Sequence, residues 1–164
     1  MRKLLFVPDT SVGPFVFGAR QSDVRKLMKI AFDSECQQPM RRKPPAYELE
    51  YYANPDVILG YKDSKLISVD FIDDRRERFC EIYLEKEKIW PRTENKFLSI
   101  FGDEAFINMY DTYYHAAYSL AVTWKYKPSS LLVGQADFSE TIELFANSLH
   151  LWSSAKSCSM GHQA

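Results

Sequence analysis

The chain is poor in cysteine, and the few cysteines it has are not arranged for a disulfide framework or a metal site. Cys36, Cys80 and Cys158 are odd in number, stand at unrelated spacings and include no CxxC pair. A secreted disulfide scaffold or a zinc knuckle needs paired cysteines, so neither is predicted. We expect free thiols in a reducing compartment.

Long hydrophobic runs are also lacking. The apolar run near the start ends at Val7, before Pro8 and Asp9, whereas a signal peptide needs about 7–15 apolar residues. The longest uncharged run, 112–124 with histidine counted as neutral, is shorter than the roughly 20 residues that span a bilayer. We therefore expect a soluble cytoplasmic protein with no membrane partner.

The sequence contains no motif for phosphate binding or for common catalytic machinery. A glycine-rich phosphate loop, GxSxG and HExxH are all missing. Cys158 and His162 lie close together in the sequence, but a metal site needs three or four ligands and no second pair exists. We predict no catalytic residues, no metal site and no cofactor, and hence a protein that is not an enzyme.

An excess of one charge sign is lacking as well. The formal net charge is −1, so no overall field attracts nucleic acid or an acidic membrane. The basic, proline-rich stretch from Pro39 to Pro45 is interpreted as a solvated loop. Direct binding of nucleic acid is therefore not expected.

Aromatic residues, in contrast, make up 15% of the chain, and many segments alternate apolar and polar residues. Aromatic residues favour strands, and period-two alternation is typical of strands with one buried and one exposed face. Strands are predicted at 3–7 (as an edge strand), 14–17, 47–51, 57–61, 67–71 and 80–84. The clearest alternation runs from 113 to 126 and predicts one long strand with a bend or bulge, paired with 131–136.

Three segments have helical periodicity. The first runs from an N-cap at Ser22 to about Phe32, and the second is capped by Thr93 and ended by Gly102. The third runs from about Ser139 to Trp152, with Asp137 and Glu140 at capping-box spacing.

Together these elements predict an α+β fold with one twisted antiparallel sheet and about three helices packed mainly on one face. Each half of the chain has a strand, a short helix and long strands, which suggests a pattern-level duplication. We assign residues 1–152 to a single domain and 153–164 to a flexible tail.

The polar side of the predicted sheet suggests a binding surface. If the apolar strand positions face the helices, the opposite face carries carboxylates in its first half, small polar residues in its second half, and scattered tyrosines. An ordinary hydrated sheet face is one interpretation. The other is a docking face for a basic partner, because acidic groups raise the association rate with a basic cleft and tyrosine anchors interfaces. The predicted partner-binding residues are Glu48, Glu50, Asp70, Glu81 and Tyr83.

Two segments resemble parts of a known class of proteins. The stretch from Val12 to Met28 has glycines flanking an apolar strand that leads into a helix, and the stretch from Tyr61 to Val69 is similar to the hairpin that often follows. Both resemble small bacterial immunity proteins of contact-dependent growth inhibition toxin systems. The same strand-into-helix pattern also occurs in inhibitor and lipoprotein domains. The resemblance implies a cytoplasmic protein that neutralises one cognate toxin by binding it, and it assigns no functional residues.

Three functions follow as hypotheses. The first is a non-enzymatic protein-binding module, in its most specific form an immunity protein that occludes a basic toxin domain such as a nuclease. The second is a ligand-binding or enzymatic domain with a pocket between the sheet and the 39–45 loop. The third is a structural subunit, which a large exposed apolar patch and a stable homodimer would indicate. The oligomeric state is not predicted.

Overall fold

The computed structural model describes residues 2–41, 47–53, 55–73, 80–102, 107–109, 112–124 and 129–160, with side chains for all of these except 107–109, 129, 138 and 157–160. Within these ranges the chain forms three helices and thirteen strands. The helices are α1 (Gln21–Phe32), α2 (Glu94–Phe101) and α3 (Phe138–Met160). The strands are β1 (Arg2–Val7), β2 (Ser11–Val12), β3 (Phe15–Val16), β4 (Gln38–Arg41), β5 (Tyr47–Ala53), β6 (Asp56–Lys62), β7 (Lys65–Asp73), β8 (Cys80–Leu84), β9 (Glu87–Trp90), β10 (Ile107–Met109), β11 (Thr112–His115), β12 (Leu120–Thr123) and β13 (Ser129–Gly134).

The described strands form two sheets. One is antiparallel, with the order β10-β11-β12-β13-β7-β6-β5-β4, and the other is mixed, with the order β3-β2-β1-β8-β9. The mixed sheet arises because β1 and β8 pair in parallel, from Arg2 opposite Cys80 to Phe6 opposite Leu84. The α+β class with three helices is confirmed, but the prediction of a single antiparallel sheet is wrong. The prediction that 3–7 is an edge strand is also wrong, since β1 lies in the middle of its sheet.

The large sheet is covered on both faces. On one face, the first core packs Val24 and Met28 of α1 and Phe97 of α2 with the inner side of the five-stranded sheet. On the other face, the second core packs Leu144 and Phe145 of α3 against strand residues that include Tyr47, Leu49, Ile58 and Leu132. The prediction that the helices pack mainly on one face is therefore wrong. The sheet face that was predicted to be exposed to water is covered by α3.

The predicted long strand at 113–126 is a hairpin. Strands β11 and β12 pair antiparallel, with His115 opposite Leu120, and residues 116–119 form the turn. Ser119 has a positive φ of 50°, and its N–H donates to the Ala116 carbonyl. Period-two alternation continues through such a turn, so the pattern does not reveal where the chain reverses. The prediction that the following segment pairs back is confirmed, since β12 pairs antiparallel with β13.

Helix ends follow the sequence signals only in part. Thr93 and Gly102 flank α2 as predicted, and the Glu140 N–H donates to Asp137 Oδ1 at 2.9 Å. Ser22 was a wrong N-cap prediction, because α1 begins earlier, after Arg20. Helix α3 continues to Met160, through most of the segment that was expected to be a loose tail. In the described part of the chain, no helix has the length and apolar character needed to cross a membrane.

Candidate interaction surface

The five predicted partner-binding residues do not share a surface. Glu48 and Glu50 of β5 point toward α1, where Arg25 forms ion pairs with both. Asp70 of β7 is paired with Leu132 and Ile58, which belong to the second core beneath α3. Glu81 and Tyr83 lie on β8 of the other sheet. The prediction of one continuous acidic face is wrong. Alternation within a strand shows which residues share a side of that strand, but it does not show which sheet the strand belongs to or which face of the sheet that side forms.

Glu50 is a buried, fully engaged carboxylate. It has no exposed surface and accepts hydrogen bonds from Gln21 Nε2 and from the Tyr52 hydroxyl, each at 2.9 Å. It also forms the ion pair with Arg25, and this hydrogen bond is the main reason that the pKa of Arg25 is raised. Burial and the nearby Glu50 raise the pKa of the Tyr52 hydroxyl. Because all its partners come from α1 and β5, Glu50 anchors that helix to the sheet and is not available for docking.

Asp70 is buried without such engagement. Neither of its carboxyl oxygens has a hydrogen-bond partner, and the carboxyl has no exposed surface. Burial raises its pKa to about 8, and the nearby Ser148 hydroxyl opposes this shift only in part. Asp70 is therefore held mainly as a neutral acid at pH 7 and cannot attract a basic partner.

Glu81 and Tyr83 do face solvent, on the outer side of the five-stranded sheet. Inward-pointing Leu4, Phe6 and Ile82 fill the first core, so their neighbours along the strands point outward. We define the outer sheet face as the set of outward side chains of this sheet: Lys3, Leu5, Val7, Ser11, Val16, Glu81, Tyr83 and Lys88.

The centre of the outer sheet face is apolar. Leu5, Val7 and Val16 have exposed fractions of 50%, 39% and 51%. Leu5 stands opposite Tyr83, while Ser11 stands opposite both Val7 and Val16. Side chains opposite each other on neighbouring strands are roughly 5 Å apart, so these residues form one contiguous patch and not scattered exposed side chains.

Charged groups border this patch. Lys88 Nζ lies 3.6 Å from Glu81 Oε1, and the Tyr83 hydroxyl donates to Glu81 Oε2 at 3.1 Å. The Lys3 ammonium lies 5.6 Å from the centre of the Tyr83 ring, within cation–π range. Partial burial and Glu81 raise the pKa of Tyr83, so the phenol remains a neutral donor. With two lysines and one glutamate, the outer sheet face has a net positive charge.

The other candidate residues are placed differently. His115, predicted on a polar strand face, is buried between Phe101 and Tyr118, and burial lowers its pKa. Burial raises the pKa of the Cys36 thiol and raises that of Cys80 to about 12, which leaves both poorly nucleophilic. No group of three or more metal-ligating side chains occurs among the described residues.

A cleft also occurs among the described residues, away from the predicted pocket. It is lined by Asp56, Phe71, Ile72, Asp73, Cys80, Trp90 and Pro91. The pocket hypothesised beside the 39–45 loop lies partly outside the described residues, since 42–46 are not among them.

Sequence reasoning missed the apolar members of the outer sheet face. The signal was present in Leu4-Leu5-Phe6-Val7, where apolar residues occupy both parities of one strand. A strand of this kind has an apolar side chain on each face, and in a sheet covered on one side the second set must be exposed. Because residues 3–7 were interpreted as an edge strand, the exposure of Leu5 and Val7 in the middle of a sheet face was not predicted.

No protein-family model matches this chain, and neither a curated protein nor a solved structure matches it.

Proposed function

We propose that this protein acts by binding another protein through the outer sheet face, without catalysing a reaction. The observation that carries the proposal is the contiguous patch of Leu5, Val7 and Val16 beside Tyr83, on a regular strand surface whose opposite side is the core. Exposed apolar patches bordered by polar residues mark interaction sites, and tyrosine is enriched at the centres of interfaces.

The partner that fits this face has an apolar patch bordered by carboxylates. Lys3 gives the rim its net positive charge, since Lys88 and Glu81 pair with each other and Tyr83 also donates to Glu81. Complementary charge at a rim raises the association rate and selects among partners. The hypothesis of a basic nuclease partner depended on the predicted acidic surface. Because the carboxylates do not share a surface, we no longer propose that the partner is basic.

The resemblance to immunity proteins supplies the partner class. We propose a cognate toxin that the protein neutralises by covering it, inside the cytoplasm of the producing cell. Two buried ionisable groups that could take part in chemistry are enclosed in the fold: Glu50 pairs with Arg25, and Asp70 lies without exposed surface beneath α3. This placement favours a binding role over an enzymatic one.

The test compares two sets of surface substitutions in the full chain. The double variant Leu5→Glu, Val16→Glu places charge in the patch, and Ile30→Glu is the matched control, since Ile30 is an isolated aliphatic residue on α1 with an exposed fraction of 85%. The ligand is the product of the gene adjacent to this chain's gene, which the proposal expects to be a toxin, purified and titrated by calorimetry. We expect the double variant to raise Kd by at least about tenfold and the control to change it by less than about twofold.

Two results would overturn the proposal. One is equal affinity of both variants, with circular dichroism confirming that both are folded. The other is light scattering that shows a homodimer disrupted by the double variant alone, while the toxin product is not bound. That outcome would assign the outer sheet face to self-association and favour the structural-subunit hypothesis.

A further inference from the structure

Two separate contacts hold the ring of Tyr83 in one position on the outer sheet face. The Tyr83 hydroxyl donates to Oε2 of Glu81, two residues earlier on β8, so the ring leans along the strand toward Glu81. The Lys3 ammonium lies 5.6 Å from the centre of the same ring, and Lys3 stands opposite Glu81 on the neighbouring strand β1. Both contacts therefore favour the same direction of the ring.

The carboxylate that holds the ring is itself held. Oε1 of Glu81 lies 3.6 Å from Nζ of Lys88 on β9, and the side chains of Glu81 and Lys88 are only 22% and 32% exposed. A carboxylate with both oxygens engaged and most of its surface covered loses little conformational freedom when a partner binds. The support of the Tyr83 ring is thus organised before any partner arrives.

Tyr83 also lies where the apolar and the charged parts of the outer sheet face meet. Leu5 stands directly opposite it on β1, and Lys88 stands opposite it on β9. It is the one aromatic side chain among the eight described members of this face. Residues that dominate a binding energy are most often tyrosine, tryptophan or arginine, surrounded by contacts that exclude water. Leu5 on one side and charged groups on the others give Tyr83 such surroundings.

We infer that Tyr83 is the anchor of the interface at the outer sheet face and presents a ring whose position is set before binding. The inference rests on the proposed function, and it adds which residue contributes most to affinity. A ring that is fixed in advance loses little freedom on association, so more of its contact energy remains as affinity. Tyrosine is suited to this role because it offers a large contact area with only two rotatable bonds.

The contacts of Tyr83 determine the chemistry that the partner presents there. Because Glu81 already accepts from the hydroxyl, the uncovered part of the half-buried ring is apolar and suits an aliphatic or aromatic side chain. In the described part of the chain, no ion pair joins Lys3 to a carboxylate, although Glu81 stands opposite it. The partner therefore places an apolar side chain on Tyr83 and a carboxylate beside Lys3.

The test measures binding of the neighbouring gene's product, the ligand used for the proposed function, to variants of the full chain. We expect Tyr83→Ala to raise Kd at least about thirtyfold, and Leu5→Ala and Val16→Ala each to raise it less than about fivefold. Tyr83→Phe keeps the ring but removes its bond to the carboxylate, so Kd should rise about three- to tenfold. Tyr113→Phe is the matched control, because this phenol also donates to a glutamate, Glu94, but belongs to the other sheet, and Kd should not change.

The fixed position of the ring is tested in the free chain, without a partner. Three-bond NMR couplings between Hα and Hβ of Tyr83 should report one χ1 rotamer in the wild type and an average over rotamers in Glu81→Ala. Averaged couplings in the wild type would overturn the pre-set position of the ring.

The outcomes separate the anchor role from the proposed function. If the double variant Leu5→Glu, Val16→Glu leaves Kd unchanged, the proposed function fails and the anchor role fails with it. If the double variant weakens binding but folded Tyr83→Ala changes Kd by less than about threefold, the anchor role alone is overturned. Should Tyr83→Ala fail to fold, Tyr83→Leu replaces it, with an expected rise in Kd of at least about tenfold and the same threshold for rejection.

Discussion

Glu50 and Asp70 lie on opposite faces of the same sheet, both fully buried, and only Glu50 has partners for its charge. Glu50 faces α1 and meets Arg25, while Asp70 faces α3 and meets side chains without charge. The contrast explains why the Asp70 carboxyl keeps its proton at neutral pH, since burial raises its pKa and no cation lies beside it as Arg25 lies beside Glu50. Substitutions at Arg25 and at Asp70 therefore change the free energy of unfolding through different faces of the sheet and can be measured separately.

Removing the partner of Glu50 should destabilise the fold. Arg25→Met leaves a buried carboxylate with hydrogen bonds from Gln21 and Tyr52 but no counter-charge. Breaking a buried ion pair typically costs about 3–5 kcal/mol, and because Arg25 is half-exposed we expect about 2–3 kcal/mol. Urea unfolding measures the free energy, with Lys26→Met, an exposed neighbour on α1, as the control. A loss below about 1 kcal/mol would mean that Glu50 does not depend on the pair.

Stability should fall as pH rises from about 4 to about 8 because of Asp70. Its pKa is about 8 in the folded protein and 3.8 as the ordinary value, so across this window the folded state holds one proton that the unfolded state releases. The free energy of unfolding then decreases by up to about 1.4 kcal/mol per pH unit from this group. Subtracting the curve of Asp70→Asn from that of the wild type isolates this slope. Parallel curves for the two proteins would contradict the assignment.

Reversing the charge of Lys3 should slow association with the partner. Lys3 is exposed at the rim of the outer sheet face, above Tyr83. We expect Lys3→Glu to lower kon several-fold at low salt, with the difference shrinking at high salt because exposed charges are screened. Surface plasmon resonance at two ionic strengths measures it, with Lys26→Glu on α1 as the control. A faster association of Lys3→Glu would show that the partner surface is basic.

The turn between β6 and β7 should respond oppositely to two substitutions at one position. Asp63 and Ser64 both have positive φ values, 52° and 61°, which is the geometry of a tight two-residue hairpin. Ser64→Gly should stabilise the protein by about 0.5–1 kcal/mol, because glycine adopts this conformation without strain. Ser64→Val should destabilise it, since β-branched residues disfavour positive φ. Thermal unfolding of both variants tests the sign, and a gain for valine would contradict the strain argument.

Local sequence signals determined much of the secondary structure. Alternation located β5 to β8, Thr93 and Gly102 marked the ends of α2, and Asp137 with Glu140 marked the start of α3. These features depend on neighbours within a few residues along the chain, and propensity, capping and periodicity are properties of that range. The α+β class follows from the same information.

The tertiary structure alone decided which surface each strand face would meet. Alternation placed Asp70 and Glu81 on the polar side of their own strands, but α3 returns over Asp70, while β8 joins β1 in a second sheet and leaves Glu81 exposed. Pairing between distant strands and the docking of a later helix depend on contacts across the whole chain, which no local pattern encodes. For the same reason the outer sheet face emerged only when Leu5, Val7, Val16 and Tyr83 were brought side by side by their strand registers.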